Sequence, residues 1–143
     1  MSHTHLPHDH GDHSRHLVEH MPDMGVFSTV SEAFKLLSDP KRAQVYWLLC
    51  HCEECVINLS AMTEMSSPAL SHHLKLLKAA GLITSRREGK EVYYTAAHSD
   101  TAEALHRMIE KMIRITCPDE DDLTADSGQF STSHKIQKAC HPD

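Results

Sequence analysis

The sequence predicts a mostly α-helical domain with a single β-hairpin, arranged as a winged helix-turn-helix that works as a dimer. Three observations predict it. Two short amphipathic helices follow one another, the second with a polar and basic outer face. Two β-rich runs around Glu88-Gly89-Lys90 come next, with basic residues at their tip. Helices near both ends of the core carry apolar stripes beyond the needs of one small domain, as surfaces that pair across a dimer axis do.

The elements can be justified in order. Val26, Val30, Ala33, Phe34 and Leu37 recur at helical spacing and define the first core helix. Ser38 or Asp39 caps the next, with Pro40 in its first turn, where a missing N–H costs nothing; this helix runs to about Cys50 and buries Val45, Leu48 and Leu49. "HCEE" reads as a turn, and "CVINLSAMTEM" as a short helix with Val56, Leu59 and Met62 inward. "SSPALSHHLKLLKAAG" is a helix with Ser67 as cap, Pro68 at its first position and Gly81 as terminator. Its buried stripe is Leu70, Leu74 and Leu77, while Ser71, Lys75 and Lys78 share another face beside His72. The hairpin follows, and "TAEALHRMIEKMIRI" closes the core with Ala104, Leu105, Met108, Ile109, Met112 and Ile115 apolar.

Organisation and class follow from composition. The chain of 143 residues is expected to hold one winged domain over 26–118, between a His-rich arm (1–25) and an acidic, polar tail (119–143), both unstructured. No apolar run approaches the roughly 18 residues of a membrane span. The first twenty residues lack the apolar segment of a secretory signal, so a cytoplasmic location is expected. Five cysteines is an odd number, which argues against a disulfide framework and for metal or redox chemistry. The net charge of −6 disfavours nucleic acid for the whole chain. Locally the balance reverses: residues 66–94 carry Lys75, Lys78, Arg86, Arg87 and Lys90 against Glu88 and Glu91, whereas acids gather in "DEDD" at 119–122.

The motifs "LLSDPKRAQVYWLL", "SSPALSHHLKLLKAAGLI" and "RREGKEVYY" together make residues 26–116 resemble the ArsR/SmtB family of metal-sensing repressors. The resemblance implies a winged-helix homodimer that represses metal-handling operons and leaves operator DNA when metal binds. It also implies DNA-facing roles for Ser67, Ser71, His72 and Lys75, with Arg86, Arg87 and Lys90 on the wing. The residue types agree: Lys and Arg neutralise phosphates, and Ser and His reach base edges or backbone oxygens. His73, beside the leucine stripe, is read as packing.

The stretch "LLCHCEECVINL" holds Cys50, Cys52 and Cys55 within six residues. The family resemblance implies metal ligands near here, where its members carry a Cys-x-Cys; this chain keeps Cys55 and places Ile57 and Asn58 where the second Cys and an Asp would stand. Cys50 and Cys52 can compensate. Three thiolates leave a soft divalent ion one ligand short of tetrahedral. The arm, with seven histidines in its first twenty residues, can supply the fourth, through His16 or His20. Zn(II), Cd(II) or Pb(II) fits that set; As(III) or Sb(III) fits three thiolates alone, and Cu(I) fewer.

The family's second site, across paired last helices, fits less well. His98 and Asp100 have the right types in reversed order, and Lys111 and Arg114 fall where later ligands belong. His106 and Glu110, one turn apart, are an alternative pair, although with Glu103 they read first as a solvated helix face. Cys117 is a further alternative ligand, and Cys140-His141 is read as incidental. Competing classes are a thiol-redox repressor, an arm-dominated metal buffer and a zinc enzyme; no third ligand paired with a base supports the last.

Overall fold

The computed structural model describes residues 5–8 and 10–116. The tail expected at 119–143 and the candidate Cys117 lie outside them. The chain divides into two compact units, one ending at Lys35 and the other beginning at Leu36.

The first unit carries α1 (Asp12–His20) and most of α2 (Met24–Leu36). A helix therefore occupies part of the arm that the sequence reading left without structure. Its termini suit the helix dipole, with Asp12 in the first turn and His20 in the last. α2 starts where the Asp23 carboxylate accepts from Val26 N–H at 3.1 Å. Its Val26, Phe27, Val30 and Phe34 are exposed in the single chain.

The second unit contains α3 (Pro40–His51), β1 (Glu54–Cys55), α4 (Val56–Thr63), α5 (Ser67–Ala79), β2 (Ile83–Glu88), β3 (Glu91–Ala96) and α6 (Asp100–Thr116). Asp39 caps α3, accepting from Arg42 N–H at 3.0 Å, and Pro40 sits in the first turn. The buried set on α3 is Val45, Tyr46 and Leu49. Tyr46 takes the place expected for Leu48, because its hydroxyl can donate to the Ala102 carbonyl of α6 at 2.6 Å. On α4, Leu59 and Thr63 are buried while Met62 is exposed. The Thr63 hydroxyl reaches the Leu59 carbonyl at 2.6 Å, so its burial leaves no orphaned donor.

The cap of α5 is Ser66, one residue before the expected Ser67; its hydroxyl accepts from Ala69 N–H at 3.4 Å, with Pro68 in the first turn. Leu70, Leu74 and Leu77 are fully or almost fully buried against α3 and α4. Gly81, at φ 74°, ends the helix in the left-handed region. The hairpin turns at Gly89, φ 62°, with Glu88 opposite Glu91. "HCEE" is more than a turn. Glu54 and Cys55 pair antiparallel with Tyr94 and Tyr93, giving a three-stranded sheet in the order β1-β3-β2. In α6 the inward residues are Ala102 and Leu105; Ala104 and Met112 are exposed.

His73 packs as expected, with its Nδ1 buried and without a hydrogen-bond partner. Burial lowers its pKa below 6.5; Asp39, with a carboxylate oxygen 3.9 Å from Nε2, opposes this, and Arg42 and His72 reinforce it.

Two outcomes follow from this packing. Leu74→Ala removes a fully enclosed side chain and should destabilise the domain by about 2–5 kcal/mol in urea unfolding; a loss below about 1 kcal/mol would mean that α5 is not anchored by this stripe. Because His73 has its pKa depressed by folding, the unfolded state binds the extra proton as pH falls below about 6.5. Its contribution is intact above that value and is lost as pH falls through the folded value. The urea midpoint of wild type should drop more steeply with acidification than that of His73→Gln; parallel curves would contradict a His73 pKa lowered by folding.

Candidate functional site

Burial of the α5 leucines turns Ser71, His72 and Lys75 outward together, and all three are exposed. Ser67 is exposed in the first turn, its Oγ 3.4 Å from Ser60 Oγ of α4. At the hairpin, Arg87 and Lys90 are exposed. Arg86 is engaged with protein groups: Nε donates to Glu53 Oε1 at 2.9 Å, a terminal nitrogen donates to Glu88 at 2.6 Å, and the guanidinium lies 4.9 Å from the Tyr93 ring centroid. The hydrogen bond from Arg86 holds the Glu53 carboxyl below its ordinary range. Arg86 thus braces the wing against the segment after α3. Lys78 makes a second brace, donating to Ser85 Oγ at 2.6 Å.

The cysteine stretch lies at the α3–α4 joint, and its cysteines are not disulfide-bonded. Cys50 is half-buried. Burial pushes its thiol up to about 11, with the Glu110 charge adding to this against a hydrogen bond with Tyr46. The Cys52 thiol donates to the Leu48 carbonyl at 3.2 Å. Cys55 is buried and is the N-cap residue of α4. The acids between them have local partners. Glu53 holds Arg86, while Glu54 accepts from Cys55 N–H at 3.1 Å and from the Asn58 amide at 2.8 Å. On α1, His16 and His20 stack with ring centroids 4.0 Å apart.

A different set of donors converges. Among the described residues, His51, His106 and Glu110 are the one group of three or more His, Cys, Asp or Glu donors whose ligand atoms all lie within 4.8 Å of one another. His51 Nε2 is 2.7 Å from Glu110 Oε1, His106 Nε2 is 3.3 Å from the same oxygen, and the two Nε2 atoms are 3.3 Å apart. Trp47 Nε1 donates to that oxygen at 2.9 Å. Burial raises the Glu110 pKa, but hydrogen bonds from His51, Trp47 and His106 and the His51 charge outweigh it, leaving it below the ordinary value of 4.5. Side-chain exposures of 17% for His51, 30% for His106 and 29% for Glu110 replace the solvated face expected of α6 with a partly enclosed polar joint. Beside it lies a cavity of about 120 Å³ lined by Tyr46, Cys50, His98, Glu103 and His106. Asp100 is exposed at the start of α6 and does not join the group.

His51 is the residue that sequence reading passed over. Its signal was present: Trp47 with His51, and His106 with Glu110, are both pairs at i,i+4. What was missing was that α3 and α6 lay these two pairs against each other.

Residues 39–85, from the cap of α3 into the first wing strand, match the family model described as bacterial regulatory protein, arsR family. A cadmium resistance transcriptional regulatory protein CadC homolog of Staphylococcus aureus is 43% identical over 67 residues, covering 46% of this chain and 55% of the relative. A transcriptional repressor SmtB homolog of Synechocystis is 38% identical over 68 residues, 48% of this chain and 52% of the relative. The chain thus spans about half the length of these two relatives. The biofilm growth-associated repressor of Agrobacterium fabrum is 33% identical over 94 residues, which is 66% of this chain and 77% of that protein. Among solved structures, reduced HlyU from Vibrio cholerae superposes with a TM-score of 0.57 at 30% identity, covering 65% of this chain and 94% of that one. With an α4–α5 pair anchored by buried leucines in the matched region and the braced hairpin following it, the chain belongs to the arsR family of bacterial regulatory proteins.

Proposed function

We propose that the chain is a homodimeric transcriptional repressor that binds a two-fold-symmetric operator and leaves it when a metal ion binds. The observation that carries the DNA half is the outward face of α5, where Ser71, His72 and Lys75 stand together over a buried stripe. In this reading α5 enters the major groove and the Arg87–Lys90 tip of the wing meets the backbone beside it. Arg86 acts differently from its neighbours, holding the wing through Glu53 and Glu88. The exposed apolar faces of α2, and of α6 at Met112 and Ile113, suit burial against a second copy. No helix among the described residues is long and apolar enough to cross a membrane, and the repressor is proposed to work in the cytoplasm beside its operator.

The metal half rests on the relative named for cadmium resistance and on the donors at the α3–α4 joint. Zn(II), Cd(II) or Pb(II) is the proposed effector, with Cys52 and Cys55 as thiolate ligands and His16 or His20 available from the arm. Cys55 stands at the N-cap of α4, at the end of the joint between the two helices. Burial pushes the Cys50 thiol up to about 11, so giving up its proton to a metal costs more than at an ordinary thiol. That same shift disfavours it as a redox switch. Metal that draws the joint into one arrangement biases the spacing of the two reading helices, which must match grooves about 34 Å apart. Linkage then requires that DNA weaken metal binding by the factor by which metal weakens DNA binding, on the order of 5–150-fold.

Fluorescence anisotropy on an operator recovered from random duplexes tests this reading. Lys75→Ala and Arg87→Ala should each weaken binding across all sequences and reduce the salt slope by about 1, whereas Ser71→Ala or His72→Ala should relax sequence preference. Unchanged affinity in all four variants would displace α5 from the groove. Cd(II) should release wild type but not the double variant Cys52→Ser/Cys55→Ser; equal release from both would remove the thiolates from the effector site.

A further inference from the structure

We propose that His51, His106 and Glu110 form a second metal site, built from nitrogen and oxygen donors and separate from the cysteines. It would take a divalent ion of the zinc, cobalt or nickel class.

The geometry carries the assignment. Ions of this class bind imidazole nitrogen and carboxylate oxygen at about 2.0–2.1 Å, so ligands around a tetrahedral centre stand roughly 3.3 Å apart. Two of the three separations here, His106 to Glu110 and His106 to His51, are 3.3 Å already. The third, His51 to Glu110, is 2.7 Å, a hydrogen-bond length that must open by a few tenths of an ångström. Both Nε2 atoms face each other and one carboxylate oxygen. Such convergence is served either by protons on the imidazoles or by one cation receiving both lone pairs. Metal binding takes the second course: each imidazole keeps its proton on Nδ1, and the Nε2 proton shared with Glu110 leaves or moves there.

The surroundings already hold the ligands in place. Trp47 Nε1 donates to Glu110 Oε1 and its ring lies 4.7 Å from that of His51, so one side chain orients two ligands. Tyr46, donating to Ala102 one turn before His106, fixes the register of α3 on α6. The adjoining cavity of about 120 Å³ opens onto His106 and provides room for a further ligand. No thiolate is among the three donors, which moves selectivity from soft ions toward the borderline class.

A metal here would clamp α3 to α6. α3 also packs against α5, so the clamp would reach the reading helix; that consequence, unlike the site itself, rests on the repressor reading above.

Trp47 is the chain's one tryptophan and touches two of the proposed ligands, so its fluorescence reports this site. The experiment titrates Co(II) into the full chain, following Trp47 emission and the visible and near-ultraviolet cobalt bands. Quenching of Trp47 should saturate at one ion per chain, with intense tetrahedral visible bands. The double variant Cys52→Ser/Cys55→Ser should retain the quenching. His106→Ala and Glu110→Gln should each weaken it by at least about 100-fold, beyond the cost of losing a supporting partner. Glu110→Gln preserves shape, and circular dichroism checks that both variants fold. Trp47 emission indifferent to cobalt, quenching that survives in His106→Ala and Glu110→Gln, or quenching lost with the cysteines would each overturn the site. Operator anisotropy with the same cobalt separates the two proposals. Quenching as expected with operator affinity unchanged sustains the site and refutes metal-driven release through it; release with Trp47 silent refutes the site and leaves release to other donors.

Discussion

The burial of Leu70, Leu74 and Leu77 is the constraint on which the rest of the second unit depends. Each buried leucine contributes about 1.5–3 kcal/mol relative to exposure, and the three leave α5 one permitted rotation about its axis. That rotation sets which side chains face outward. Ser71, His72 and Lys75 are presented together because they lie off the stripe. It also places Lys78 next to Ser85, so the wing is tied to the helix that precedes it.

The segment between α3 and α4 shows how several demands can share four residues. Glu54 and Cys55 extend the wing sheet by a short edge strand, bringing the start of α4 against Tyr93 and Tyr94. Glu53 reaches Arg86 on β2, and Glu54 turns back to satisfy the Cys55 N–H at the head of α4. The acids of "HCEEC" therefore hold the wing and the helix start, while the thiols occupy the joint they define. A change of shape at that joint would pass to the wing through Glu53–Arg86 and to α5 through α4.

α3 and α6 meet along a polar seam inside an otherwise apolar contact. Tyr46 meets Ala102, and two turns further along α6 Trp47 and His51, one turn apart on α3, both meet Glu110. A buried polar group is tolerated only when partnered, and the pairing makes this seam specific in register where an all-leucine contact would not be. The convergence of two imidazoles on one carboxylate is a product of that register. A shift of one turn along α6 would carry His106 and Glu110 away from His51.

Local pattern was enough for much of this protein. The leucine stripe, Pro40 and Pro68 in first turns, and Gly81 and Gly89 at positive φ are effects of neighbouring residues, so the helix pair, the hairpin and the outward face of α5 were legible in the sequence. The cap at Ser66 and the exposure of Met62 missed by one position, because adjacent serines and a short helix leave the register to packing. The β1 strand, the Arg86–Glu53 brace and the His51–His106–Glu110 group join residues 33 to 59 positions apart. Such contacts depend on how whole elements dock, and no local period encodes which side chains will meet. The sequence by itself determined the winged helix-turn-helix and its basic outer face. Only the tertiary structure decided that Arg86 is a brace and that the donors which converge are two imidazoles and a carboxylate from α3 and α6.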